Sequence, residues 1–398
     1  MTRKALVLLG LILAVTGIAQ QSYTQMTFGY PFDTPVDPRS VAMGESFVAV
    51  PSNPAALQYN PAGLAGLHGL GVSYSSMSQD WYLKGVSLYS INATVGTSFG
   101  VFGAQYNRKV LGSIPVTTAQ FPDGNGSEMK LYSHDFAIGY AYRLPAGVAL
   151  GVSAKYYDFV ETISGSLNGA SPPWTSTPAY LFDFGIMYTL PRLHSQTAVE
   201  DSITLGLSYQ NIGTRWKFVY PPTPGQWETI DSSPNTGFAQ LPEYFRIGLS
   251  YALRVRPAEP SALTPFAAVL SGEFRSLQAP IPSMYSLYGL FGPISSNPET
   301  SYWGIGLECT ILEYVSLRGG AAFRPYVDVE AERDRPSYRY GAGVNLPLER
   351  LGADLPLTIS AEYSVIPVSW PSSLGFTNGD TGTFPVFSFE VRYTGSPW

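Results

Sequence analysis

The chain has 398 residues, a net charge of −6, 13% charged residues and 14% aromatic ones, with 40 Gly and 33 Pro. A soluble domain carries about 25% charged residues; few charges with much Tyr, Gly and Pro fit many strands joined by turns, in a chain that hides its apolar surface by alternation. With no basic tract, the composition excludes nucleic acid as a partner. Cys309 is the single cysteine, so no intrachain disulfide forms in an oxidising compartment, and its phase with Trp303, Ile305 and Leu307 makes it a small apolar filler.

The N-terminus reads as an export signal. Arg3 and Lys4 precede an apolar core, Ala5–Val15, and Thr16-Gly17-Ile18-Ala19 supplies small residues for cleavage, so the mature chain is expected to start at Gln20. The apolar run is shorter than the ~20 residues of a spanning helix. Residues 1–19 are thus expected to be a signal peptide, 20–68 an N-terminal segment and 69–398 the remaining domain.

"DPRSVAMGESFVAVPSNPAALQYNPAGLAGL" (Asp37–Leu67) comes next. It is apolar and small, yet Pro61, Gly63 and Gly66 spoil it as a regular helix or strand. Gly and Pro favour compact turns that need no sheet partner.

From residue 69 onward the chain alternates with period two. Phe136, Ile138, Tyr140 and Tyr142 share one face, with Asp135, Ala137, Gly139, Ala141 and Arg143 on the other. After Pro145-Ala146-Gly147 the apolar face resumes at Val148, Leu150 and Val152, a hairpin by period and turn chemistry. About fourteen such segments follow, near 69–76, 83–91, 97–107, 132–143, 147–160, 179–190, 202–212, 243–254, 264–276, 301–312, 314–325, 336–347, 355–366 and 384–394. The predicted fold is an all-β, closed antiparallel transmembrane barrel. A strand of ~10 residues tilted by ~40° covers the ~25 Å apolar band of an outer membrane. Connections alternate long and short along the chain, the pattern of an outer-membrane barrel with long outer loops and tight periplasmic turns. Either Tyr393 or Trp398 supplies the terminal aromatic residue.

Charged residues fall out of phase with the apolar set. Asp183, Arg246, Glu308, Arg318 and Glu362 are expected in the lumen, together with Asp135, Arg143, Lys155, Glu273, Arg275, Arg324, Arg339, Glu390 and Arg392. An Arg facing lipid at mid-height would cost ~2–4 kcal/mol. Mixed-sign pairs within the bore are the structural reading of this set; a substrate role is the other.

Catalytic chemistry is not expected. Gly96-Thr97-Ser98-Phe99-Gly100 matches a nucleophile elbow in letters, but that motif needs a strand–turn–helix setting, whereas here a strand begins. His68, His134 and His194 have no i,i+4 or Cys partners for a metal. Neither a phosphate-cradling loop nor a dinucleotide fingerprint occurs. The chain is therefore expected to be no enzyme and to need no cofactor or metal.

Arg39, Met43-Gly44, Phe47-Val48-Ala49-Val50 and Asn60-Pro61-Ala62-Gly63, in that order before the first strand, resemble the entry motif of the FadL/TodX family of outer-membrane transport proteins and of the related PorV/PorQ-like barrels. "LFDFGIMYTL", "SITLGLSYQNIG", "LPEYFRIGLSYAL" and "GLECTILEYVSLRGGAAFRP" look like segments of the PorV/PorQ branch in particular. The resemblance implies a fourteen-stranded barrel in the outer membrane of a Gram-negative-type bacterium, with the N-terminal segment folded inward as a hatch or plug. On that reading Asp37, Arg39, Gly44, Asn60, Pro61, Ala62 and Gly63 form the gate, with Asp37 and Arg39 pairing to lumen charges. It implies two alternative roles. One is passive transport of hydrophobic small molecules, such as long-chain fatty acids or aromatic hydrocarbons, with outer-membrane lipid and that ligand as partners. Aromatic stretches such as "RWKFVYPPTPGQW" (215–227) would then meet the ligand first. The other is binding or shuttling of exported cargo among secretion-system proteins. The gate is either fixed or mobile.

Overall fold

The computed structural model describes residues 36–78, 86–115, 122–124, 126–164, 175–191, 198–214, 216–219, 236–239, 243–257, 263–277, 301–323, 336–369 and 381–395. The expected signal peptide, Arg324, His194, Trp398 and most of 215–227 lie outside them. The strands are β1 (Leu70–Ser78), β2 (Val86–Thr97), β3 (Gly100–Pro115), β4 (Glu128–Arg143), β5 (Val148–Ser164), β6 (Thr175–Thr177), β7 (Ala179–Pro191), β8 (Val199–Gly213), β9 (Trp216–Val219), β10 (Thr236–Ala239), β11 (Tyr244–Val255), β12 (Phe266–Leu277), β13 (Ser301–Ile311), β14 (Val315–Phe323), β15 (Ser337–Pro347), β16 (Leu357–Ser369) and β17 (Thr381–Tyr393).

Fourteen of these close into one antiparallel barrel, and the short β6, β9 and β10 form a separate three-stranded sheet. Each expected segment has its strand. Closure is made by β1 on β17, from Leu70 opposite Tyr393 to Met77 opposite Val386. Tyr393 is thus the aromatic residue that ends the last strand. Several strands outrun their apolar stretch: β3 to β5 reach residues 115, 128 and 164, because ladder hydrogen bonds continue past the point where burial ceases to select side chains. The three short strands carry no alternation long enough to signal them.

Tight turns gather at one end. Ser98-Phe99 joins β2 to β3, so the elbow-like pentapeptide is a hairpin turn. Leu312, Glu313 and Tyr314 join β13 to β14; Leu312 and Glu313, both with positive φ, are the central residues of a turn closed by Tyr314 N on Ile311 O at 3.0 Å, the conformation that matches strand twist. Glu313 accepts from Thr264 N at 3.0 Å and from Arg254 at 3.0 Å. Partial burial works against its charge, but these donors hold its carboxyl below the usual range.

The outer face is apolar all round. Tyr74, Phe136, Ile138, Val152, Phe182, Phe184, Leu270, Leu307, Leu317, Phe387 and Phe389 all stand exposed. Aromatic clusters mark two heights. Tyr74, Tyr89 and Tyr106 line up toward the long-loop end with centroids 6.3 and 6.2 Å apart, and Phe99, Phe102 and Tyr140 gather at the tight-turn end at 5.9 and 5.0 Å. An exposed apolar surface on this scale is stable only against lipid. Leu307, 46% exposed in mid-strand, gives the test. Leu307→Arg should cost about 2–4 kcal/mol in urea unfolding from lipid vesicles; a loss below about 0.5 kcal/mol would remove hydrocarbon from that face.

Candidate functional site

The N-terminal segment, Val36–Leu67, lies against the inward faces of the barrel strands. Asp37 caps a short helix, α1 (Pro38–Ala42), by accepting from Ser40 N at 2.9 Å, a net contribution of about 1 kcal/mol. Gly44 and Glu45 then turn the chain with φ of 63° and 60°. Two 3-10 turns follow, Pro54–Gln58 and Pro61–Gly66, each with Pro in its first turn and an Asn cap, Asn53 or Asn60. Proline that breaks a long helix starts a short one well, so the stretch has regular local structure where turns alone were expected.

The segment spans from one wall to another. Residues 36–50 meet β11 to β17 and, across the seam, β1 and β2: Val36 and Val41 pack on Met77 of β1, Leu88 of β2 and Phe384 and Val386 of β17, and α1 lies on β14 to β17. Residues 54–67 meet β3, β4, β5 and β7, where Leu57, Leu64 and Leu67 pack on Val101, Ala137, Ala141, Ala149 and Met187. Small wall residues make room for this second half.

Glycine makes room for the main chain itself. A Cβ on Gly206 would stand 2.2 Å from Val48 O, and on Gly306 2.4 Å from Met43 O. On Gly151 it would stand 2.2 Å from Ala62 N, on Gly304 2.4 Å from Gly44 O, and on Gly320 2.4 Å from Gly44 N. Gly185 likewise admits Asn60, whose Oδ1 would lie 1.9 Å from an added Cβ. Each of these glycines points inward, on β5, β7, β8, β13 and β14, so a belt of bare backbone receives the segment.

Charge pairs fasten the same contact. Arg39 donates to Glu308 through Nε at 2.8 Å and Nη2 at 2.7 Å, a bidentate geometry. Burial disfavours its charge, but the Glu308 carboxylate outweighs this and raises the Arg39 pKa. Glu308 also accepts from Arg318, directly opposite on β14, and Arg318 donates on to Glu362 at 2.9 Å. Arg339 pairs with Glu45 of the segment. Glu273 accepts from Phe47 N and Val48 N, each at 2.7 Å, and from Arg246 at 2.8 Å. Asn60 Nδ2 donates to Val48 O at 2.8 Å and to the wall carbonyls of Ile186 at 3.3 Å and Leu207 at 3.2 Å. Burial, with Asp37 and Glu45 nearby, holds the Tyr59 phenol well above its ordinary pKa.

Above the segment lies a polar cavity of about 20 Å³, lined by Gln58, Asn107, Lys109, Asp135, Lys155, Gln210, Tyr244 and Arg246 among others. Lys155 meets Asp183 at 2.7 Å and Asn211 at 3.1 Å. Asp183 sits at a break in the β7–β8 register, where it also accepts from Asn211 N at 2.8 Å and Ser153 at 2.7 Å. Toward the long-loop end the inner wall is mixed. Met77, Leu88, Tyr157, Leu181, Tyr244 and Phe384 face in and are buried beside the equally buried Arg275 and Arg339, and Val36 and Val41 cover Met77, Leu88 and Phe384.

Asp183, Arg246, Glu308, Arg318 and Glu362 all face inward, and Arg39 joins them through Glu308. Among the described residues Asp37 forms no ion pair with a lumen charge: its carboxylate accepts from Ser40 N at 2.9 Å and from Asn53 Nδ2 at 3.3 Å. Pro61, Ala62 and Gly63 serve as packing surface for β5 and β7. Sequence reasoning missed the glycine belt, Glu45, and Glu273 as a main-chain acceptor. The signal for the belt was present as Gly at inward phase in one strand after another.

No protein-family model and no curated protein sequence matches the chain. Among solved structures, the toluene transporter TodX of Pseudomonas putida is similar at 9% identity and a TM-score of 0.47, covering 92% of this chain and 100% of that one. The Ralstonia pickettii toluene transporter TbuX is similar at 11% and 0.44, covering 89% and 98%. A Pseudomonas aeruginosa FadL homologue is similar at 15% and 0.43, covering 94% and 100%.

Proposed function

We propose that this protein is an outer-membrane channel of the FadL type for passive uptake of hydrophobic small molecules, with Val36–Leu67 as its closure. One observation carries the reading. Val36–Leu67 lies across the inner wall of a closed barrel, packed on Met77, Leu88 and Phe384 at one place and on Val101, Ala141 and Met187 at another, while the outer face is apolar. A segment held on apolar contacts bars a straight aqueous path, and a ligand with little charge passes such contacts at the smallest desolvation cost. Long-chain fatty acids and aromatic hydrocarbons are the substrate classes such a path suits, and outer-membrane lipid is the partner of the outer face. Asp37, Arg39, Gly44 and Asn60–Gly63 hold the closure in place.

The test is uptake of radiolabelled toluene and oleate by cells of a Gram-negative host lacking its own hydrophobic-compound channels. Expression should raise initial uptake of at least one of them several-fold over vector alone. Equal uptake at verified outer-membrane abundance would end the proposal. The alternative role, a PorV/PorQ-like carrier of exported cargo, finds no specific support among the described residues.

A further inference from the structure

We propose that the barrel's outer face carries a binding site for the phosphate head group of an outer-leaflet lipid, with Arg108 as its anchor. This goes beyond the transport reading and does not depend on what the channel carries. Arg108 lies on β3 between Asn107 and Lys109, which both line the internal cavity, so by the period of a strand it faces the other way, toward lipid. Its partners across the ladder are Tyr89 on β2 and His134 on β4. His134 in turn stands opposite Asp158 on β5. Two residues nearer the tight turns, Tyr106, Phe136 and Tyr156 share that face. Arg108, His134 and Asp158 are thus the first row with basic and acidic groups above the apolar part of these three strands, on the long-loop side.

This row leaves a positive charge without a counter-ion. Asp158 stands against His134 at 3.9 Å, and higher on the same face Lys130 has Glu128 at 3.9 Å. Among the described residues Arg108 meets no carboxylate. What it meets is the Tyr132 ring, with Cζ 4.9 Å from the centroid. Such stacking orients the guanidinium plane and brings no formal charge. An unpaired guanidinium on the lipid face is destabilising, more so with depth, and an anion relieves it. At the edge of the hydrocarbon the anions of a bilayer are lipid phosphates, which a planar guanidinium binds through two parallel N–H donors. Of the Arg108 nitrogens Nε is covered and unpartnered, so the half-buried side chain offers its terminal Nη pair. The acyl chains of the same lipid would lie along the exposed Phe136 and Ile138 below. That second contact makes a whole lipid, rather than free phosphate, the occupant.

Native mass spectrometry of the purified full-length barrel, released from a neutral detergent at pH 7, tests this with dioleoyl phosphatidic acid and dioleoylglycerol, two probes with the same chains. Phosphatidic acid should bind about tenfold more tightly than dioleoylglycerol, the factor expected from one charge-assisted contact. Arg108→Gln should remove that preference. Arg254→Gln, which loses the same charge beside Glu313 at the tight-turn end, should keep it. Inorganic phosphate at the concentration of the lipid should not compete. Equal binding of the two lipids overturns the site, as does an unchanged preference in Arg108→Gln, an equal loss in Arg254→Gln, or displacement by inorganic phosphate. If Arg108→Gln does not fold, Arg108→Lys takes its place. It keeps the charge and loses the paired donors, so the preference should fall, and no fall overturns the proposal. Uptake of hydrophobic molecules is decided separately by the transport test.

Discussion

Deleting Asp37–Gly66 is expected to turn a closed barrel into an ion-conducting one. In planar bilayers the intact protein should give little current, and the deletion variant should give discrete, long-lived openings. The segment lies against the inner wall, on β3–β7 at one place and on β11–β17, β1 and β2 at another, and the wall behind it is glycine where its main chain lies. No side chain remains there to take its place. The variant should still fold, because ladder pairing around the barrel is independent of the segment. It should unfold at a lower temperature. Glu308, Arg339 and Glu273 lose partners on deletion, and breaking a buried pair costs about 3–5 kcal/mol when water stays out. Water entering the emptied bore offsets part of that. A folded deletion variant with no more current than the parent would refute closure by this segment.

Glu308→Ala should be the most damaging single change in the interior. Glu308 takes Arg39 and Arg318 at once, so its loss leaves one guanidinium of the segment and one of β14 competing for Glu362 or for none. The expected cost is about 3–5 kcal/mol in urea unfolding from vesicles. Arg39→Ala in the same background should cost little more, because its partner is already gone, giving a coupling energy well above the ~0.5 kcal/mol scatter of independent sites. Protease access to residues 36–50 should rise in step. Additive losses for the two substitutions would show that the Arg39–Glu308 contact does not hold the segment.

The barrel was legible because lipid and lumen impose opposite chemistry on alternate residues. Phe136, Ile138 and Tyr140 against Asp135 and Ala137 leave one solution for the face of β4, and the same test repeats in strand after strand. Partner choice was not legible. That Glu308 meets Arg318 depends on the β13–β14 register, and that it also meets Arg39 depends on a contact 269 residues away in sequence. Asp37 misled because a carboxylate near charged walls and a carboxylate capping a helix look alike in letters. Only the following Pro-x-Ser pattern, with Ser40 three residues on, separates them. Glycine hid for a different reason. Gly206 or Gly306 within a strand reads as a weak point until several are seen at the same inward phase.

Those bare inward positions bear on how the molecule is made. Val48 and Met43 main-chain atoms sit within hydrogen-bond-like distance of where a wall side chain would be, too close for bulky parts of residues 36–67 to slip past a finished cylinder. Synthesis delivers this stretch ahead of β1, so the sheet can curl around it as around a mandrel, with the β1–β17 zip, Leu70 to Tyr393, sealed last. On the proposed reading, residues 36–67 serve first as a casting core for the cylinder and afterwards as its closure.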